Sequence, residues 1–225
     1  SWRHMHLSGK AALVTGASRG VGAATALQLA KAGCRVAINF NQSADRAEQV
    51  AIGCREVGVE AILVQGDVAE DAVCRAMVQQ AVEAFGGLDI LINNAGTTRF
   101  IDFQDLDAVT DEDWERIFAV NLKGPFQMAR AAREALAAGE GGVIVNTASV
   151  QGLQSDKLVP AYAASKGAVL SLTRQMSLDY AKENIRVVAV CPGSIDTPLL
   201  KDAVSLSFDK VDEGMHEIGN KHPLG

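Results

Sequence analysis

Six short apolar runs rich in β-branched residues alternate with long stretches of helical periodicity, and few architectures accept that order. Ala11 to Thr15, Arg35 to Phe40, Ala61 to Gln65, Asp89 to Asn93, Val143 to Thr147 and Arg186 to Cys191 read as strands. Between them lie helical stretches over Gly20 to Ala32, from a Ser43 cap to Val57, and from about Glu70 to Phe85. A further helix follows Thr110, whose pairing with Asp113 resembles a capping box. Gly124-Pro125 is expected to bend or break it. A last long helix starts near Pro160 and reaches about Lys182. Repeated strand-then-helix units imply an α/β fold, a doubly wound parallel sheet with helices on both faces in three layers.

The 225 residues suit one domain of a few layers rather than two small ones. The expected division is a vector scar over 1–6, a single catalytic domain over 7–225 and a lid-like segment at about 199–220, with the C-terminus incomplete. A net charge of −6 argues against a nucleic-acid partner, and no apolar run is long enough for a membrane span. Cys34, Cys54, Cys74 and Cys191 fit no zinc spacing and read as reduced thiols, so no metal site and a cytoplasmic location are expected.

Ligands of such sheets bind beyond the strand carboxyl ends. After the first strand comes Thr15-Gly16-Ala17-Ser18-Arg19-Gly20-Val21-Gly22. Gly16 permits a tight turn, and Gly20 and Gly22 let the backbone approach a pyrophosphate at a helix N-terminus. The spacing departs from the usual G-x-G-x-x-G, and a turn that merely needs small residues would look the same. At the first βα junction, the dinucleotide reading of a Rossmann-type fold is the one adopted. The second strand ends in Asn39-Phe40-Asn41 without the acid that reads a ribose 2′-hydroxyl. Arg19 could instead pair with a 2′-phosphate, or stand solvated, so NADP(H) is favoured over NAD(H). Asp67, followed by Val68, either bonds the adenine amino group or caps the next helix. Asn94-Ala95-Gly96 after the fourth strand would let backbone lie against the nicotinamide ribose, although it is also a generic turn signal.

Tyr162 and Lys166 stand four residues apart and share a helix face. A phenol titrates near ~10, and an ammonium ~4 Å away at an effective dielectric of ~20 is worth ~4 kcal/mol, or about 3 pKa units. Such a neighbour is expected to acidify Tyr162 toward the neutral range. Ser149 follows the fifth strand, where a hydroxyl could bond a carbonyl oxygen, though loop serines are ordinary. Asn121 is a poor helix-interior residue on a mainly apolar face and needs a partner, either a water or a core group.

With these residues in view, the chain resembles the short-chain dehydrogenase/reductase family from Lys10 to about Leu200. The resemblance rests on the glycine run 15–22, Asn93-Asn94-Ala95-Gly96, Asn121, Ser149, Tyr162 with Lys166, and Cys191-Pro192-Gly193. It implies that Tyr162 is the general acid in carbonyl reduction and the base in alcohol oxidation. Lys166 would lower its pKa and hold the nicotinamide ribose, and Ser149 would polarise the substrate oxygen. Asn121 would anchor a water in a proton relay. Pro192, Gly193, Ile195 and Thr197 would meet the carboxamide end. The resemblance also implies a homo-oligomer, tetramer or dimer.

The expected activity is hydride transfer between NADP(H) and a ketone or secondary alcohol. One alternative is a 3-oxoacyl-(acyl carrier protein) reductase, which the glycine loop and Asn39-Phe40 resemble. Glu140 and Glu183 stand where such enzymes carry basic docking residues, so a free small molecule is favoured unless Arg130, Arg133 and Arg174 compensate. The other alternative is a nucleotide-sensing protein without turnover. The substrate pocket is expected between Thr97, Thr98 and Arg99, the run from Gln151 to Lys157, and the segment after Thr197.

Overall fold

Six parallel strands, in the order β3-β2-β1-β4-β5-β6, place the first strand and the fourth side by side at the centre of the sheet. The computed structural model describes residues 7–99, 105–155, 159–205 and 210–220. The strands are β1 (Ala11–Val14), β2 (Arg35–Phe40), β3 (Ala61–Gln65), β4 (Ile90–Asn93), β5 (Gly142–Thr147) and β6 (Ile185–Val190). Among the described residues, helices α1 (Gly20–Lys31), α2 (Ala44–Glu56), α3 (Asp71–Phe85), α5 (Gly124–Ala137) and α6 (Pro160–Asp179) pack on the sheet, and α4 (Asp111–Phe118) packs against α6. The architecture is the doubly wound single domain expected from the alternation.

Strand β1 is buried at every position, as a central parallel strand must be. Two apolar cores result. One joins Leu13, Leu91 and Ile144 to Met77, Phe85, Met128 and Met176. The other joins Val14, Ile38 and Ile92 to Ala26, Ala30, Val50 and Cys54. Cys34, Cys54 and Cys74 are buried free thiols, and burial pushes Cys34 up to about 12 and Cys74 up to about 11. They are inert packing groups.

Several local expectations need correction. Gly124-Pro125 does not break the helix. Chain 119–123 instead widens into a π-turn, and α5 starts at once with Pro125 in its first turn. The wider turn takes up the ring and the missing N–H that would strain a regular helix. Ser43 makes no side-chain cap bond, whereas Thr110 and Asp113 do form their box. Helix α6 stops at Asp179, and a 3₁₀ turn at Ala181–Glu183 passes through Asn184 in the left-handed region (φ 56°). The segment proposed as a lid is a pair of helices, α7 (Pro198–Ser205) and α8 (Val211–Asn220). The expected scar at 1–6, Asp156 and Lys157 of the pocket, and the end of the chain at 221–225 lie outside the described residues. Among the described residues, no helix is long and apolar enough to cross a membrane.

Candidate active site

Because the strand order reverses between β1 and β4, the loops after these two strands diverge and leave a crevice at the carboxyl end of the sheet. There they touch. A Cβ on Gly16 would come within 2.8 Å of the Ala95 Cα, and one on Gly22 within 2.4 Å of Asn94 Nδ2 and 2.5 Å of the Gly16 carbonyl. Gly16 (φ 61°) and Gly20 (φ 57°) also occupy the left-handed region. Thr15 and Asn94 lock the junction. Thr15 Oγ1 accepts from the Asn94 and Ala95 N–H groups, both at 3.0 Å, and Asn94 Nδ2 donates to the Thr15 and Gly16 carbonyls at 3.0 and 3.2 Å. Helix α1 begins at this loop. Its N-cap, Arg19, is exposed and makes no side-chain cap bond, so the first N–H groups of the helix stay open to an anion. Across the loop, Thr197 brings its Cγ2 to 3.6 Å from the place a Gly20 Cβ would occupy. Backbone cradle, open helix terminus and a facing post-β6 loop fit a pyrophosphate-bearing dinucleotide.

Asn39 behaves differently from a nucleotide-facing residue. It is 2% exposed, its Oδ1 accepts from Gly16 N–H at 3.0 Å, and its Nδ2 donates to the Val64 and Gly66 carbonyls at 3.1 Å. Its side chain holds the glycine loop in place. Phe40 is buried in the core beside it, and Asn41 is exposed with Nδ2 3.3 Å from Asp67 Oδ2.

The reactive group of residues assembles on the other side of the crevice. Ser149 leaves β5 and caps a short 3₁₀ turn, its Oγ accepting from Gln151 N–H at 3.1 Å. It also hydrogen-bonds the Tyr162 phenol, which α6 presents from its first turn. One turn on, Lys166 is 4% exposed, places Nζ 5.5 Å from the Tyr162 ring centroid and donates to the Thr147 carbonyl at 2.6 Å. Burial lowers the Lys166 ammonium to about 8.

The expected acidification of Tyr162 is not found. Burial pushes the phenol above its usual range, and the Ser149 hydrogen bond offsets only part of that. Lys166 points its shortest bond at Thr147 rather than at the phenol.

Asn121 sits in the π-turn, 1% exposed, and clamps Thr97. Its Oδ1 accepts from Thr97 N–H at 2.8 Å and its Nδ2 donates to the Thr97 carbonyl at 2.9 Å. The second amide hydrogen goes to Ser165 Oγ at 3.0 Å, which in turn donates to the Tyr162 carbonyl at 2.7 Å. One Oδ1 lone pair remains for a water. A Cβ on Gly96 would lie 3.6 Å from Asn121 Oδ1 and 3.7 Å from Lys166 Nζ, so Gly96 separates the two by little more than an open slot. Thr98 Oγ1 is buried without a hydrogen-bond partner among the described residues, and Arg99 pairs with Asp113. Val150 N–H donates to the Pro192 carbonyl at 3.1 Å, which ties the post-β6 loop to the serine turn, and Gly193 and Ile195 are exposed beyond it. Sequence reasoning quoted Thr15 only as the start of the glycine run, without its locking role, and missed Ser165 and the Thr147 carbonyl.

A doubly wound sheet with a glycine cradle facing a serine, a tyrosine and a buried lysine defines the dinucleotide-type oxidoreductase class. The family profile described as short chain dehydrogenase matches residues 10–206. The chain belongs to that family, as an oxidoreductase acting on a CH–OH/carbonyl pair, and the non-catalytic sensor alternative is set aside. It is 39% identical over 212 residues to a versicolorin reductase of Emericella nidulans, covering 92% of this chain and 76% of that one. It is 37% identical over 206 residues to a 3-oxoacyl-[acyl-carrier-protein] reductase of Staphylococcus aureus, covering 92% and 81%. Among solved structures, a short chain dehydrogenase from Burkholderia cenocepacia in complex with NADP superposes with a TM-score of 0.82 at 42% identity, covering 86% of this chain and 78% of that one.

Proposed function

We propose that the protein reduces a small-molecule ketone with NADPH, Tyr162 giving its proton to the carbonyl oxygen. The observation that carries this reading is the buried Lys166 with Nζ 5.5 Å from the Tyr162 ring, next to the Ser149 turn and at the same sheet end as the glycine cradle. When bound, the dinucleotide supplies the hydride at nicotinamide C4. Gly16, Ser18, Gly20, Val21 and Gly22 bring backbone to its pyrophosphate, with Ala95 and Gly96 against the nicotinamide ribose. Pro192, Gly193, Ile195 and Thr197 close over the carboxamide end.

Ser149 holds the substrate oxygen against the phenol. A phenol kept protonated by burial is the donor form that reduction needs, so the raised Tyr162 pKa suits the reductive direction. Lys166 keeps a positive charge near the phenolate that remains after proton transfer, and the Thr147 carbonyl fixes where that charge sits. Asn121 holds the Thr97 backbone at the pocket edge and offers Oδ1 to a water beside Lys166.

Arg19 is exposed and forms no ion pair among the described residues, so it is available to a 2′-phosphate. In Arg19→Ala, the preference for NADPH over NADH is expected to fall by about tenfold or more, the size of one lost charge-assisted contact. Initial rates with both coenzymes measure it, and an unchanged ratio would remove Arg19 from the role.

The surface favours a free substrate over a carrier-bound one. Arg133 is paired with Glu183, with Nε 2.7 Å from Oε2, and Arg130 with Asp71 at 2.7 Å. Neither offers an uncompensated charge to an acidic carrier, which leaves exposed Arg174 as the one of the three without an ion pair among the described residues. Turnover of a panel of free ketones, followed by nicotinamide absorbance, is expected to exceed that of acetoacetyl-carrier protein. Activity that depends on the carrier would overturn this choice of substrate class.

A further inference from the structure

Asp67 lies in the loop between β3 and α3, which α4 reaches through Arg116. Its Oδ1 accepts from Ala69 N–H at 2.9 Å, and its Oδ2 accepts from Asn41 Nδ2 at 3.3 Å and from Arg116 Nη2 at 2.7 Å. Burial would raise this carboxyl, but the Ala69 N–H, Arg116 and Asn41 together hold it below the usual range. The following helix, α5, packs tightly on the same loop. Gly124 packs so close to Val68 that a Cβ there would lie 2.8 Å from Val68 Cγ2, and Gln127 Nε2 donates to the Val68 carbonyl at 2.9 Å. Arg116 and Asp67 side chains are 48% and 25% exposed, and an ion pair that open to solvent contributes little stability. Its value lies in where it puts the carboxylate.

A carboxylate has about four lone-pair positions, and the contacts of Asp67 use all but one. Resting on the NADP(H) reading above, we propose that Arg116 is a positioning residue that makes this enzyme select adenine. It fixes the Asp67 carboxylate so that its remaining lone pair meets the exocyclic amino group of the purine. Arg116 makes the shortest of the three contacts, and without its guanidinium only the Ala69 N–H and the 3.3 Å Asn41 contact would hold the carboxylate. A hypoxanthine ring carries an oxygen in place of the amino group, so acceptor would face acceptor. Sites built to hydrogen-bond a donor reject the analogue that lacks it far more strongly than apolar pockets do.

The test measures initial rates and, by fluorescence titration without substrate, dissociation constants for NADPH, its hypoxanthine analogue and reduced nicotinamide mononucleotide, which lacks the purine, across wild type, Arg116→Gln, Arg116→Lys, Asp67→Asn and the Arg116→Gln/Asp67→Asn pair. Wild type is expected to prefer NADPH over the hypoxanthine analogue by about tenfold, the size of one hydrogen bond to a charged group. Arg116→Gln is expected to lose most of that preference and to raise KM for NADPH by about tenfold, with kcat at saturation within about twofold. Arg116→Lys should recover part of the preference, because the charge returns without the planar fork. The double variant should discriminate no worse than Asp67→Asn alone, since one residue acts through the other.

Wild-type discrimination in Arg116→Gln, or losses that add in the double variant, would overturn the proposal. So would an equal loss with the mononucleotide, because the effect would then lie away from the purine end. A wild type that uses neither dinucleotide overturns the cofactor reading itself, an outcome distinct from an NADPH-competent enzyme that ignores Arg116.

Discussion

Tyr162→Phe is expected to lower kcat for ketone reduction by about 10³-fold while leaving the NADPH dissociation constant within about twofold. The substitution keeps the ring that stands 5.5 Å from Lys166 Nζ and removes only the hydroxyl bonded to Ser149. General acid–base groups contribute about 10²–10⁴-fold, so loss of the single proton donor should fall in the middle of that span. Ser149 can still hold the substrate oxygen and Lys166 can still present its charge, which is why the loss should stop short of the uncatalysed rate. Single-turnover kinetics with NADPH and a fluorescence titration separate the chemical step from binding. The pH profile gives a second reading. A phenol raised by burial is protonated throughout the neutral range, so wild-type reduction should hold steady there and fall as the pH climbs past about 8, where Lys166 loses the charge that compensates the phenolate. Wild-type turnover in the phenylalanine variant would end the mechanism outright.

What the sequence revealed and what it withheld follow from the range of the interactions. The strand-helix alternation is local, and it was enough to give the sheet and its two covered faces. The placement of Gly16, Ser149, Tyr162 and Lys166 at one end of the sheet follows from topology, since strand carboxyl ends are fixed once the strands are parallel. Asn39 was misread in its use because its neighbours in sequence resemble a strand end facing ligand, whereas its partners are Gly16, Val64 and Gly66 from two other segments. Ser165 carries no sequence signal at all. It stands 44 residues from Asn121 and joins that side chain to the Tyr162 backbone. Arg116 looks like one more solvated charge on α4 until the chain brings it to Asp67. The protonation of Tyr162 was wrong in direction for a physical reason. Spacing supplied the ammonium but not its orientation, and it said nothing of the burial that outweighs a hydrogen bond from Ser149.

That same burial predicts how Lys166 trades stability for activity. Lys166→Met removes the charge at similar length, and kcat is expected to fall by at least about 10²-fold because the tyrosine loses its compensating ammonium. Stability should respond in a pH-dependent way. In the folded chain Lys166 titrates at about 8, against 10.5 for an ordinary lysine, because burial disfavours the charged form. Between these values the unfolded chain binds more protons than the native one, so this group makes wild-type stability rise with pH. Below the folded value its penalty is present in full, and above the unfolded value it is gone. The methionine variant lacks the titration. It also leaves the Thr147 carbonyl without its 2.6 Å donor, at a cost of about 1–3 kcal/mol that does not vary with pH. Unfolding free energies of the two proteins, measured by denaturant from neutral to strongly basic pH, should therefore run parallel below about 8. Above it, wild type should gain on the variant by about 1.4 kcal/mol per pH unit, about 3 kcal/mol in total. Other titrating groups are common to both chains, and the difference cancels them. Parallel curves across the whole range would mean that Lys166 is not the buried ammonium on which the proton transfer at Tyr162 relies.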